Sequence, residues 1–264
     1  MLEFKNVTKK FGDIVAVEDI SFEVNDGGFL FIMGPSGAGK TTLIRLILRE
    51  FKPDKGEIMF NRENIAELPA KKIPKLRQQM GVVFQDFKVL PESTLRENVE
   101  VALAVVGLPK EEWDARVDHV LKLVELDKRA DLFPSQLSGG ELQRLSLARA
   151  LVVNPKIILA DEPTGNLDWD TADKIMDLFE KINKEGKTII MATHHKLIVD
   201  KLGKNVIRIK DGKIVEGGKI KKKSAKDISK KTEKDISEEK EDDSEDSKKD
   251  ENNDDKKVKI DKEN

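Results

Sequence analysis

Gly34-Pro35-Ser36-Gly37-Ala38-Gly39-Lys40-Thr41-Thr42 sets two glycines around four residues and follows the second with a lysine and a hydroxyl. Glycines in such a loop allow dihedrals that turn successive backbone N–H groups inward, forming a nest for phosphate oxygens at the start of a helix. Lys40 would then reach the β- and γ-phosphates of a nucleotide, and the Thr41 hydroxyl would ligate Mg2+. The apolar run over residues 29–33 precedes this loop, and the helix-like run over 43–48 follows it. A glycine turn that merely opens a helix does not require that strand–loop–helix setting. The nine residues 34–42 are therefore read as a nucleotide cradle.

A cradle alone does not hydrolyse ATP. The apolar stretch Lys156-Ile157-Ile158-Leu159-Ala160 delivers Asp161 and Glu162 at its end, a Walker-B arrangement. Asp161 is suited to hold Mg2+, commonly through water, and Glu162 to orient or deprotonate the attacking water. Taken alone, such a pair is an ordinary polar strand end; beside a phosphate loop it reads as catalytic. Gln85, also at a strand end, is placed as a sensor of the γ-phosphate or Mg2+. His194 closes the strand over residues 189–193, where an imidazole would hydrogen-bond the γ-phosphate. His195 receives no such role and is read as a solvated histidine.

Leu137-Ser138-Gly139-Gly140-Glu141 opens a helix over residues 142–151. Ser138 and Glu141 have the spacing of a capping box. A helix N-terminus with a serine hydroxyl and two glycines is also a second anion site. Two phosphate-binding surfaces in one chain suggest that one of them serves another subunit.

The elements that must position these residues follow from pattern. Residues 2–7, 16–24 and 29–33 are apolar or β-branched, and Asn25-Asp26-Gly27-Gly28 marks a tight turn. Phe11 lies in the polar stretch before the second of these strands. Further strands are expected over 57–60, 80–84, 156–160 and 187–193, with a hairpin over 205–215. Residues 94–106 and 111–126 carry helical spacing, as does 171–184. Strands alternating with helices argue for a parallel sheet with crossovers, interrupted by a helical insertion over about 88–155.

The chain has 264 residues, enough for one large domain or two small ones, and a formal net charge of -2, which supplies no basic field for nucleic acid. It contains no cysteine, so disulfides and thiolate metal sites are excluded. Residues 1–5 read as the start of a strand and lack an apolar signal core. Apolar runs such as 101–108 fall far short of the roughly 18 residues a membrane span needs. Any membrane role must come through a partner. Charged residues, 37% of the chain, crowd into residues 219–264. That tail has no aromatic residue and is expected to be disordered.

GPSGAGKTT, Gln85, LSGGE, ILADEP, Asn166-Leu167-Asp168 and His194, in this order, resemble an ABC-type nucleotide-binding domain over residues 1–218. The resemblance implies an α/β P-loop NTPase core with an antiparallel β-subdomain and a helical subdomain near 88–155. It implies a homodimer of cassettes with ATP between the P-loop of one chain and the LSGGE segment of the other. Ser138, Gly139, Gly140 and Glu141 would then contact ATP in trans. Asp168 would belong to the loop crossing the dimer, and Phe11 would stack on adenine. Finer features, namely Asp86 after Gln85, Glu97-Asn98-Val99 and Met191-Ala192-Thr193-His194, resemble the FtsE branch. That branch implies an integral membrane partner of the FtsX type at the cytoplasmic face of the division septum, met by the segment over residues 87–91. The alternatives are a lipoprotein-release or MacB-like exporter ATPase, and an ATP-gated docking module with negligible turnover.

Overall fold

The computed structural model describes residues 1–217, and the expected disordered tail lies outside the described residues. Two sheets share the described part. The antiparallel one is built from β1 (Leu2–Phe11), β2 (Ile14–Val24), β4 (Lys55–Phe60) and β5 (Glu63–Asn64), in the order β2-β1-β4-β5. The other orders its strands β10-β9-β3-β8-β7-β6. It comprises β3 (Phe29–Met33), β6 (Met80–Phe84), β7 (Ile157–Asp161), β8 (Thr188–Thr193), β9 (Asn205–Lys210) and β10 (Lys213–Glu216). Strands β9, β3, β8, β7 and β6 run parallel, and β10 closes the edge as a hairpin with β9.

The continuous apolar runs of β3 and β8 mean burial on both faces, as parallel strands covered on each side require. Successive side chains of a strand point to opposite faces. Phe29, Phe31 and Met33 accordingly join one core with Ile158, Ile189 and Met191, which also takes in the helical insertion. Leu30 and Ile32 join another with Leu159, Ile190 and the antiparallel sheet. Every parallel strand thus ends at one edge, where ligands bind in such sheets.

The helices are α1 (Lys40–Ile47), α2 (Ile73–Arg77), α3 (Leu95–Val106), α4 (Trp113–Leu123), α5 (Gly139–Leu151), α6 (Trp169–Lys184) and α7 (Lys196–Leu202). Thr94 caps α3 with Glu97 in a capping box, and Gly107 ends it in the left-handed region. The helix expected over 111–126 is shorter at both ends. A 3-10 turn over Lys110–Glu112 precedes it, and Glu125 at φ 59° reverses the chain so that Leu126 N–H donates to Leu121 O at 2.8 Å. The polar stretch that holds Phe11 continues the first strand, and Phe11 is the last residue of β1. β5, α2 and α7 lacked a sustained pattern and were not expected. Among the described residues, no helix is long and apolar enough to cross a membrane.

One buried amide holds the segment between the sheet and the helical insertion. Asn98 on α3 is 0% exposed. Its Oδ1 accepts from Leu90 N–H at 2.7 Å, and its Nδ2 donates to the carbonyls of Leu90, Ser93 and Thr94 at 2.9–3.0 Å. Asn98→Ala leaves buried backbone groups unpaired and should cost about 2 kcal/mol or more. Asn98→Asp should cost more, because carboxylate oxygen would face three carbonyls. Urea unfolding checks both; unchanged midpoints would contradict this account of the segment.

Candidate active site

The phosphate loop joins β3 to α1, and close approach dictates its glycines. A Cβ on Gly34 would stand 2.3 Å from Ile209 O, and one on Gly39, at φ 103°, would stand 2.6 Å from Ala16 O. The loop is therefore pressed between β9 and the start of β2. In front of it lies a cavity of about 620 Å3. Pro35, Ser36, Gly37, Gly39, Lys40, Thr41 and Thr42 line it together with Gln85, Glu162, His194 and the previously unassigned Ile14, Val15 and Ala16. Gly34 and Ala38 support the loop from behind, and Ala38 O accepts from Gly212 N–H. The strand ends thus bring the cradle, Gln85, Glu162 and His194 into one cavity.

Lys40 is 7% exposed, so its charge must be paired. Its Nζ donates to Gly34 O at 2.8 Å and Pro35 O at 3.0 Å, and stands 3.2 Å from Glu162 Oε1. The other oxygen, Glu162 Oε2, lies 2.9 Å from His194 Nδ1 and accepts the His194 backbone N–H at 3.3 Å. One carboxylate therefore bridges an ammonium and an imidazole. Glu162 holds φ 50°, a left-handed conformation costing about 1–2 kcal/mol for a residue with a Cβ. Two backbone bonds fix it there: its N–H to Ala192 O at 2.9 Å, and Gly165 N–H to its carbonyl at 3.0 Å.

Asp161 stands beside Thr41, close enough for the Thr41 hydroxyl to act on its carboxyl. Burial pushes the Asp161 carboxyl above its ordinary value, and the charge of Glu162 adds to that. The Thr41 hydroxyl, Lys40 and Arg45 pull the other way without cancelling it. Its Oδ1 is buried with no hydrogen-bond partner. A cation would satisfy that oxygen. Hydroxyl, carboxylate and amide oxygens are hard ligands of the kind Mg2+ takes, with phosphates completing its shell. Thr41, Asp161 and Gln85 therefore fit that ion.

Other expected site residues lie elsewhere. Ser138 caps α5: its Oγ accepts Glu141 N–H at 3.4 Å and donates to Glu141 Oε2 at 2.9 Å. Arg129 pairs with Glu141 Oε1 at 2.6 Å. The Ser138 N–H bond, the Ser138 hydroxyl and the charges of Arg129 and Arg144 hold the Glu141 carboxyl below its usual range. Asp168 caps α6, and its Oδ1 accepts Thr171 N–H at 3.0 Å. A Cβ on Gly140 would meet Thr171 Cγ2 at 2.3 Å, so α5 and α6 begin in close contact. None of residues 138–141, Asp168 or Phe11 lines the phosphate cavity. Phe11 sets its ring edge-on against Phe51, centroids 4.9 Å apart.

His195 is not the solvated residue expected. Its ring packs on His194 with centroids 4.3 Å apart, and its Nε2 is buried without a partner. The turn into α7 folds it back beneath its neighbour, which a reading of single positions misses. Asn166 was also missed as a site residue; its side chain and that of Gln85 bond one another. Its only sequence signal is its place in the Asn166-Leu167-Asp168 run.

A carboxyl raised in the folded state stabilises the fold only below its unfolded pKa, and that contribution is lost as pH rises through the folded value. At neutral pH, burying ionised Asp161 costs stability. Asp161→Asn should therefore raise the melting temperature of the nucleotide-free protein near pH 7, each kcal/mol regained adding about 2–4 °C. The gain should vanish near pH 4, and the variant should lose Mg2+-dependent turnover. Calorimetry at both pH values checks this; a lower melting temperature at pH 7 would contradict it.

Residues 17–165 match the ABC transporter family. The cell division ATP-binding protein FtsE of Bacillus subtilis is 50% identical over 216 residues, covering 81% of this chain and 95% of that protein. The methionine import ATP-binding protein MetN of Geobacillus kaustophilus is 41% identical over 225 residues, 83% of this chain and 66% of that one. A solved ATP-binding cassette, a dimer in a post-hydrolysis state bound to ADP and Pi, superposes with a TM-score of 0.73. It is 38% identical and covers 83% of this chain and 99% of its own. Half of all aligned residues shared along nearly the whole of a relative, on a common fold, settle the family: this chain belongs to the ABC transporter ATP-binding cassettes and is an ATPase that splits ATP into ADP and phosphate.

Proposed function

We propose that two copies of this chain close around ATP, and that hydrolysis drives a membrane partner of the FtsX type. The resulting signal would regulate cell-wall hydrolysis at the septum, from the cytoplasmic face of the membrane. The observation that carries the dimer is the division of phosphate-binding surfaces. The cradle and Glu162 share one cavity, while the capped start of α5 lies outside it. A second copy related by a two-fold axis would bring each α5 start to the other's cradle, completing two identical sites. Ser138 and Gly140 would there contact the γ-phosphate in trans, with Gly139 and Glu141 shaping that helix start for the bound ATP, and Asp168 would cross the interface. Phe11, with Ile14 and Val15, would receive the adenine.

Within each site the loop N–H groups and Lys40 bind the phosphates. Bound Mg2+, held by Thr41, Gln85 and Asp161, supplies positive charge against the phosphate oxygens. Lys40, turning to the γ-phosphate, releases Glu162 Oε1. Glu162 then takes a proton from water as the water oxygen bonds to the γ-phosphorus and the bond to the β-phosphate oxygen breaks. His194 holds Glu162 Oε2 until ATP binds, and its ring N–H would then turn to the γ-phosphate.

The partner's place is a groove of about 550 Å3 between the sheet and the helical insertion. Val82, Leu90, Val101, Val105 and Arg149 are among its walls. Phe87, expected here, is half-buried beside Gly139 and does not line it. The apolar lining, rather than Phe87, supports docking of a short apolar segment. FtsE identity of 50% favours FtsX as its owner. The 41% identity to MetN favours, as a second reading, a permease of an import system.

Glu162→Gln keeps size and hydrogen bonding while removing the base. It should abolish turnover, retain ATP binding and trap an ATP-bound dimer by sedimentation. Turnover near wild type would place the base elsewhere. Val105 is 75% exposed, so Val105→Asp should leave folding and the isolated ATPase unchanged. It should weaken binding to vesicles carrying the FtsX-type partner about tenfold or more. Unchanged recruitment would remove the groove from the account, and recruitment by a permease alone would favour the import reading.

A further inference from the structure

We infer that Asn166 is a positioning residue that sets which end of the Gln85 side chain faces the phosphate cavity. Asn166 Nδ2 stands 3.1 Å from the backbone carbonyl of Gln85. A carbonyl only accepts, so the amino end of Asn166 must occupy that contact. Its Oδ1 is then the atom 3.0 Å from the Gln85 side chain. An amide oxygen also only accepts, so Gln85 must offer Nε2 there. One backbone carbonyl thereby determines two amide orientations in succession. The end of Gln85 left unbound is Oε1, the only end of an amide that a hard cation takes.

Gly165 supplies an independent part of the same device. A Cβ at this position would lie 3.0 Å from Gln85 Nε2 and 3.1 Å from its Cδ. The bare backbone lets the Gln85 amide lie flat over the loop and reach Asn166. Asn166, Leu167 and Asp168 are consecutive, and Leu167 packs towards Gly139 at the start of α5. The pair therefore ties a cavity residue to the loop bearing Asp168. Any shift of that loop as two copies approach would carry the Gln85 amide with it. The proposed occupant of Oε1 is Mg2+ on the nucleotide, and the inference rests on the reading above that Gln85 is one of its ligands.

The test measures binding without turnover. The affinity of the full chain for a fluorescent ATP analogue is determined with Mg2+ and with EDTA, and the ratio is the Mg2+-dependent gain. Asn166→Leu should cut that gain about tenfold or more, as loss of a ligand-orienting partner does in metal sites, while affinity in EDTA stays unchanged. Gly165→Ala, which displaces the Gln85 amide without altering Asn166, should reduce the gain in the same direction. Asn166→Asp, which keeps an acceptor for Nε2 but loses the donor to the backbone carbonyl, should fall between wild type and Asn166→Leu. Equal losses with Mg2+ and EDTA would show a general structural role and overturn the inference. Gln85→Leu separates the two levels of the argument. If it abolishes the gain while Asn166→Leu and Gly165→Ala preserve it, Asn166 does not position Gln85. If Gln85→Leu itself preserves the gain, the ligand reading fails and the inference falls with it.

Discussion

An ammonium taken out of water must be given partners, and Lys40 is the point from which the site is built. Burying an unpaired charge costs far more than the few kcal/mol by which a domain is stable. Two carbonyls of its own loop and Glu162 supply the pairing. That requires the loop to curl back on itself, which the left-handed Gly37 and Gly39 permit. It also requires the end of β7 to lie beside the end of β3, with β8 between them. The same carboxylate then takes His194 from β8. The loop lysine and the strand-end glutamate are thus stored against one another.

The parallel sheet makes this possible because its two faces are buried in separate cores. Each strand spends its alternate side chains on holding position, and its last residue is free for chemistry. Asp161 shows the cost of that arrangement. Its oxygen is buried without a partner and its carboxyl is pushed up, so the site holds this carboxylate in a less stable state than the bare fold would choose. Functional sites commonly store such strain. The start of α5 carries no comparable burden, since its serine and glutamate satisfy one another.

Much of this was readable from residue order. The two periods of burial, the capping box at Ser138, and strands ending at Gln85, Asp161 and His194 are local signals, and the structure has them where expected. What could not be read depends on contacts between distant parts of the chain. His195 Nε2 is shut off from solvent because its ring packs on that of His194 where the chain enters α7. Asn166 matters because Gly165 lets Gln85 lie across it, although the two side chains are 81 positions apart in sequence. Asn98 looks like one more polar residue on a helix until the segment around Leu90 folds onto it. Phe87 is apolar in a charged stretch, yet which neighbour it covers is a tertiary matter. The boundaries of α4 were misjudged because apolar spacing continues through Val124 and Leu126 after the backbone has already reversed.

The central claim is that each chain carries two halves of different sites, which only a second copy completes. Subunit mixing tests it directly. Lys40→Ala spoils the cradle and Ser138→Arg spoils the α5 start, so each variant alone should be inactive. In a mixed dimer, one site pairs both defects and the other pairs an intact cradle with an intact α5 start. Equimolar mixing should restore about a quarter of wild-type turnover, one live site in half of the dimers. No recovery despite demonstrated subunit exchange would contradict the account, as would full activity of the Ser138→Arg chain by itself.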